Sequence, residues 1–249
     1  MKKMIIAIGV LAMVALSGIG RAAEIEMLAS GATKEALLEL IPDFEKSSGH
    51  KVVATWTGSA NIRKRIAAGE VYDLVVMGDK DIDSFIQQGR MVAGSRVDLM
   101  KSGVGVAVAA GAAKPDISSS EALKSAILAA KSVGYSTGPS GDHVVKMLER
   151  MGIADQVRAK LKQVPSGAAV GSIIKSGDAE IGFQQVSEFI HYPGITYVGP
   201  LPAAVQQVTV FSAGLHAGAK QPAAAKDLVR LFTSPTAATV IKFHGMEPG

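Results

Sequence analysis

The sequence predicts an α/β chain folded as two lobes joined by two crossing segments, on three observations. Short apolar runs alternate with stretches of helical spacing along most of the chain, which argues for mixed sheets rich in parallel strands. Two long extended runs, 103–110 and 206–213, interrupt this rhythm and flank a middle block. At 249 residues the chain is long enough for one large core or two modest ones, and no internal repeat or low-complexity tract divides it otherwise. The lobes then take 23–106 with 208–249, and 107–207. A single continuous domain with a long loop is the alternative.

The elements follow in order. Residues 25–28 read as a strand, and 33–47 as a helix on Ala36, Leu37, Leu40, Ile41 and Phe44. Pro42 lies inside that run and predicts a kink or restart. A strand over 51–56 precedes a helix over 60–68 ended by Gly69. Leu74-Val75-Val76-Met77 is continuously apolar, as a strand buried on both faces requires, and a helix over 79–88 closes at Gly89. The pattern resumes with a strand at 133–135, helices at 141–151 and 170–176, and a strand at 180–183.

The first 22 residues read as an export signal. Met1-Lys2-Lys3 is cationic, Met4 to Leu16 is almost wholly apolar but too short to span a bilayer, and small residues follow. Gly20 and Ala22 suit the −3 and −1 positions, which puts cleavage after Ala22, with Ala23 as second choice. Removing Lys2, Lys3 and Arg21 from 26 basic residues leaves 23 against 22 acids, so the mature chain is close to neutral. Its charge therefore gives no reason to invoke nucleic acid. The chain has no cysteine, hence no disulfide, thiol nucleophile, lipid-anchored cysteine or thiolate metal site. A soluble periplasmic monomer without a cofactor is expected.

Small-residue turns mark where a ligand can sit. Open α/β sheets bind ligands at the carboxyl ends of strands, beside helix N-termini with free N–H groups. Ala29-Ser30-Gly31-Ala32-Thr33, Thr57-Gly58-Ser59-Ala60-Asn61, Ser136-Thr137-Gly138-Pro139-Ser140-Gly141-Asp142 and Pro165-Ser166-Gly167-Ala168-Ala169 are four such turns. Each alone is ordinary helix capping; together they suggest one shared anion site. His143, one turn into a candidate helix, is the one histidine placed to contact a ligand, whereas Arg63, Lys64 and Arg65 read as a solvated helix face. Nucleotide, Walker, zinc-protease and nucleophile-elbow motifs are absent.

Those turns carry a resemblance. Leu28-Ala29-Ser30-Gly31-Ala32, Thr57-Gly58-Ser59-Ala60, Gly69 with Asp73-Leu74-Val75-Val76, Gly177-Asp178-Ala179-Glu180-Ile181-Gly182-Phe183 and Pro235-Thr236-Ala237-Ala238 are similar, in order and spacing, to the molybdate-binding protein family of periplasmic ABC importers. The resemblance covers nearly all of the mature chain. It implies the two-lobed type II periplasmic binding protein fold, an anion clamped between lobes by neutral donors, and a membrane permease as partner. It places Ser59 on a family serine and Ala32 on the first-loop serine position, where Ser30 and Thr33 are neighbours able to substitute and Gly31 shares the turn. It also places Ser140, beside Gly141, on the third loop, Gly167 on the fourth, and Gln185 where the family has a closing tyrosine. Two of these five positions depart in side chain, so the fold is better supported than the ligand.

A molybdate- or tungstate-like oxyanion is the first expectation, since no basic residue falls on a matched position. A small di- or tricarboxylate is the second, because Gln185 with His143 nearby suits a larger ligand. A hydrolase would have to use Ser140 with His143, the one local nucleophile–base pair. A regulator's effector domain lacks support from any helix-turn-helix segment.

Overall fold

A computed structural model describes residues 22–249, so the expected leader lies outside the described residues except for Ala22. Three parallel strands open the chain: β1 (Glu24–Ser30), β2 (Lys51–Thr57) and β3 (Leu74–Gly78), in the spatial order β2-β1-β3. Helices α1 (Lys34–Ser48) and α2 (Ser59–Ala67) connect them, and α3 (Asp79–Gln87) follows β3. The five apolar positions that predict α1 are all buried. Pro42 does not break it: the ring lies on the exposed face, so only a solvent-side ladder bond is lost. The helix stops at Gly49, whose φ of 73° is the left-handed cap conformation that glycine adopts without strain.

The centre of the sheet is β4 (Val97–Ala109), a 13-residue strand that starts well before the expected run. Its first half pairs antiparallel with β9 (Val208–Leu215), from Val97 to Gly103. Its second half, from Val104, pairs antiparallel with β7 (Ile181–Gln185) and β8 (Ile195–Pro200). One strand thus serves both lobes and exchanges partners between Gly103 and Val104. Gln206 pins the exchange point, accepting from the Val104 N–H at 2.8 Å and donating to the Val104 carbonyl at 3.0 Å.

The second lobe centres on β5 (Val133–Tyr135), parallel to both β6 (Leu161–Gln163) and β7. Its helices are α4 (Ser120–Ala129), α5 (Pro139–Arg150), α6 (Ala154–Val157) and α7 (Val170–Lys175). The chain returns through β9 to α8 (Pro222–Phe232), α9 (Pro235–Phe243) and a short β10 (Glu247–Pro248) on β4. Each half-sheet is covered on both faces. In the first lobe Phe44, Phe211, Leu228 and Phe232 fill one side and Ile62, Ile66, Ile82 and Phe85 the other. In the second, Val133, Val144, Met147 and Phe183 oppose Val170, Ile174 and Phe189. This two-sided burial is why β3 reads as an unbroken apolar run. Among the described residues, no helix is long and apolar enough to cross a membrane.

Candidate ligand-binding site

The strand ends of both lobes converge on one small cavity of about 30 Å³. From the first lobe come Ser30, Gly31 and Ala32 after β1, and Thr57, Gly58 and Ser59 after β2. From the second come Ser136 to Ser140 after β5, Gly167 and Ala168 before α7, and Gln184, Gln185 and Glu188 at and after the end of β7. Phe211 of β9 completes the lining. A water needs roughly 10–15 Å³ on such a measure, so the cradle has room for about two waters or one carboxylate-sized group.

Local structure explains why these residues present donors. Ser30 caps a 3-10 turn at Gly31–Thr33, its Oγ accepting from the Ala32 N–H at 3.4 Å. Ser59 opens α2, and Ser140 lies in the first turn of α5 behind Pro139, where the helix N–H groups have no internal partner. Ser140 Oγ lies 2.9 Å from Ser136 Oγ. Gly167, with φ of 88°, adopts a backbone that side-chain-bearing residues avoid, and a Cβ there would stand 3.1 Å from the Gly58 nitrogen. The lobes touch at this point. Asn61 spans the gap, its N–H donating to Ser166 Oγ at 3.3 Å and its Nδ2 to the Ser166 carbonyl at 3.2 Å.

Seven of the nine expected residues therefore line one cavity: Ser30, Gly31, Ala32, Ser59, Ser140, Gly167 and Gln185. Gln185 does so with its amide committed elsewhere. With both ends satisfied, its Nε2 donates to the Ser102 carbonyl at 3.0 Å and its Oε1 accepts from Thr209 Oγ1 at 3.0 Å, tying β7 to β4 and β9. Two expectations need correction. Gly141 is not part of the lining; it packs so closely on the β5 turn that a Cβ would overlap the Ser136 carbonyl. His143 is also turned away, with Nε2 2.7 Å from the Val205 carbonyl in a neighbouring recess. Nitrogen facing a carbonyl must carry the proton, and burial pushes this imidazole's pKa down, so it is a neutral donor joining α5 to the return segment. Ser140 and His143 consequently do not pair, and the hydrolase arrangement is absent. The basic run behaves as a solvated face: Arg63 pairs with Asp81 at 3.1 Å, Arg65 with Glu70 at 2.8 Å, and Lys64 is exposed.

Sequence reasoning missed Glu188 and Gln184. Glu188 closes a 3-10 turn (Val186–Glu188) directly after β7, and its carboxylate is half-buried against the cavity. Its one hydrogen bond among the described residues comes from Gln184 Nε2 at 2.7 Å. Gln184 is fixed in turn, its Oε1 accepting from the Val170 N–H at 2.7 Å. Burial raises the Glu188 pKa to about 7, with the Gln184 bond opposing. The signal available was two glutamines ending an apolar strand, where polar side chains have no core to join.

A raised carboxyl pKa has a consequence for stability. An unfolded glutamate titrates near 4.3, so between roughly pH 4.5 and 7 the folded state binds more protons, and stability falls as pH rises through that window. Glu188→Gln removes this loss. The variant should melt several degrees above wild type at pH 8, for about 1–3 kcal/mol after allowance for partial exposure, and level with it at pH 4.5. Thermal denaturation at the two pH values checks this.

Beside the cradle, sharing Gly31, Gly167 and Glu188 with it, lies an open recess of about 400 Å³. Lys34, Glu35, His191 and Tyr192 line it. Ser187 Oγ is buried at its base with no hydrogen-bond partner among the described residues.

Comparison with known proteins agrees with this architecture. The model of the family described as bacterial extracellular solute-binding protein matches residues 25–247. An aconitate isomerase from Pseudomonas sp. is 34% identical over 228 residues, covering 89% of this chain and 87% of that protein. The molybdate-binding protein ModA of Azotobacter vinelandii is 26% identical, covering 90% of each chain. The solved periplasmic molybdate-binding protein of Azotobacter vinelandii superposes with a TM-score of 0.75 at 21% identity, over 89% of this chain and 98% of its own. A family match spanning both lobes and all four cradle turns makes this chain a member of the bacterial extracellular solute-binding protein family.

Proposed function

We propose that this protein captures a small carboxylate-bearing anion in the periplasm and presents it to a membrane ABC importer, with the lobes hinging at Gly103–Val104 and around Gln206. The observation that carries the choice of ligand is Glu188, an acid at the junction of a neutral-donor cradle and a wider recess. A fully deprotonated oxyanion filling the cradle would face that carboxylate. Two unit charges 5 Å apart repel by about 3 kcal/mol at an effective dielectric of 20. A polycarboxylate lessens this, because it sets a single negative charge among Ser30, Ser59 and Ser140 where the oxyanion sets two, and extends the rest toward Lys34 and His191. The relative at 34% identity is named for a tricarboxylate, which supports the same reading. This reverses the order expected from sequence, where the oxyanion came first. The oxyanion keeps one point in its favour: the inner cradle alone fits a small tetrahedral ion and offers only neutral donors besides Glu188.

Native mass spectrometry of protein purified without refolding tests the proposal. An adduct with the mass of a di- or tricarboxylic acid is expected; the broad isotope pattern of molybdenum or tungsten would overturn it. Lys34→Ala should weaken tricarboxylate binding about 2- to 5-fold at low salt, since an exposed pairing is worth at most ~1 kcal/mol, and the difference should shrink as salt screens it. Calorimetry at two ionic strengths reads this directly.

A further inference from the structure

Where the shared strand passes from one lobe to the other, two glutamines hold the crossing with their side-chain amides. Gln206 serves Val104, on the second-lobe side of the exchange point. Its amide lies so close over Gly103 that a Cβ there would stand 3.1 Å from Nε2. Gln185 works across the exchange point. It ends β7 opposite Val104, in the second lobe, and is buried. Its amide reaches the first-lobe halves of both crossing strands. Nε2 lies 3.0 Å from the Ser102 carbonyl and 3.2 Å from that of Gly103, and Oε1 accepts from Thr209 Oγ1 at 3.0 Å. Ser102 and Thr209 are partners across β4 and β9, and both are buried.

These bonds belong to one lobe angle. Gln185 is fixed to the second lobe by its pairing with Val104, whereas Ser102 and Thr209 are fixed to the first. Bending between Gly103 and Val104 moves one set against the other, and hydrogen bonds weaken steeply once lengthened or misaligned. The bonds are made at the angle at which Asn61 meets Ser166 across the cleft. Gln185 also lines the cradle, so one residue stands in both the site and the hinge. Resting on the hinging proposed above, and on no particular ligand, we propose that Gln185 is a closure latch. Its bonds to Ser102 and Thr209 form when the lobes close and hold a share of the unliganded molecules closed, so the cleft is shaped before a ligand arrives. It is a positioning residue rather than a ligand donor, because both ends of its amide are engaged. Apparent affinity scales with the fraction of molecules already competent to bind, so loss of the latch weakens binding through that fraction.

Spin labels test this without a ligand. The chain has no cysteine, so Ala67→Cys on α2 and Glu149→Cys on α5, both exposed, place labels at those two points alone. Double electron–electron resonance then reads the lobe separation. Gln185→Met should lower the closed-to-open ratio about 3- to 10-fold. Thr209→Val, at a residue outside the cradle, should lower it by a smaller factor, since the bond to Ser102 remains. The double variant should be no more open than Gln185→Met alone. Calorimetry with trans-aconitate and with molybdate should show, for whichever ion binds, that Thr209→Val weakens affinity by no more than its effect on the closed fraction. A wild type found wholly at the open separation, or variants with the wild-type distribution, overturns the latch. If ligand still draws the wild-type lobes together in that case, the hinging stands without it. A separation that answers to neither variant nor ligand removes the hinging as well.

Discussion

Gly58→Ala should weaken ligand binding by roughly 10- to 100-fold and leave the unliganded fold intact. Gly58 has φ −77° and ψ 153°, a backbone that any residue adopts, so alanine is unstrained within its own lobe. The conflict lies across the cleft. A Cβ there would sit 2.4 Å from Ser166 Oγ and 2.5 Å from the Gly167 nitrogen. The serine can rotate; the Gly167 backbone can only move with its loop. Overpacking of this kind costs about 1–3 kcal/mol, incurred on the proposed hinging only when the lobes close, and each 1.4 kcal/mol is tenfold in affinity. Calorimetry gives the affinity and thermal melting of the unliganded protein gives the control. Unchanged affinity would mean that ligand is held without closure at this point.

Asp73→Ala should destabilise the protein by about 3–5 kcal/mol, a loss on the order of 10 °C in Tm, without altering the site. Asp73 is buried at the start of β3. Its Oδ2 accepts from the Glu26 N–H at 2.9 Å, and its Oδ1 accepts from the N–H groups of Lys220 and Gln221, each at 2.7 Å. One side chain thus joins β1, β3 and the entry to α8, and its negative charge lies at that helix's N-terminus. Alanine leaves three part-buried backbone donors without their acceptor. Asp73→Asn should fall between the two, since its one oxygen serves one side of the junction. Urea denaturation of the three proteins orders them; equal stability would remove Asp73 as a structural joint.

Much of the fold was legible because parallel strands buried on both faces leave unbroken apolar runs, as Leu74 to Met77 show, and because glycines such as Gly49 end helices visibly. The cradle was legible for a related reason: Ser59, Ser140 and Gly167 occupy turns at strand ends, and the topology of an open sheet brings such ends together. Harder features depend on partners distant in sequence. The extent of β4 is set by β9, β7 and β8, none of them adjacent to it in the chain. His143 has the helical position of a ligand contact but is claimed by Val205, 62 residues away. Glu188 lies in a 3-10 turn with no periodicity to mark it, and only the approach of Gly31 from the other lobe makes it part of a site.

Calorimetric titration of the unliganded mature protein with trans-aconitate and with molybdate, in one buffer at pH 7, tests most directly the proposed preference of this cleft for a carboxylate-bearing acid over a metal oxyanion. Trans-aconitate is expected to bind at least about tenfold tighter, a difference of ~1.4 kcal/mol. Tighter binding of molybdate would contradict it.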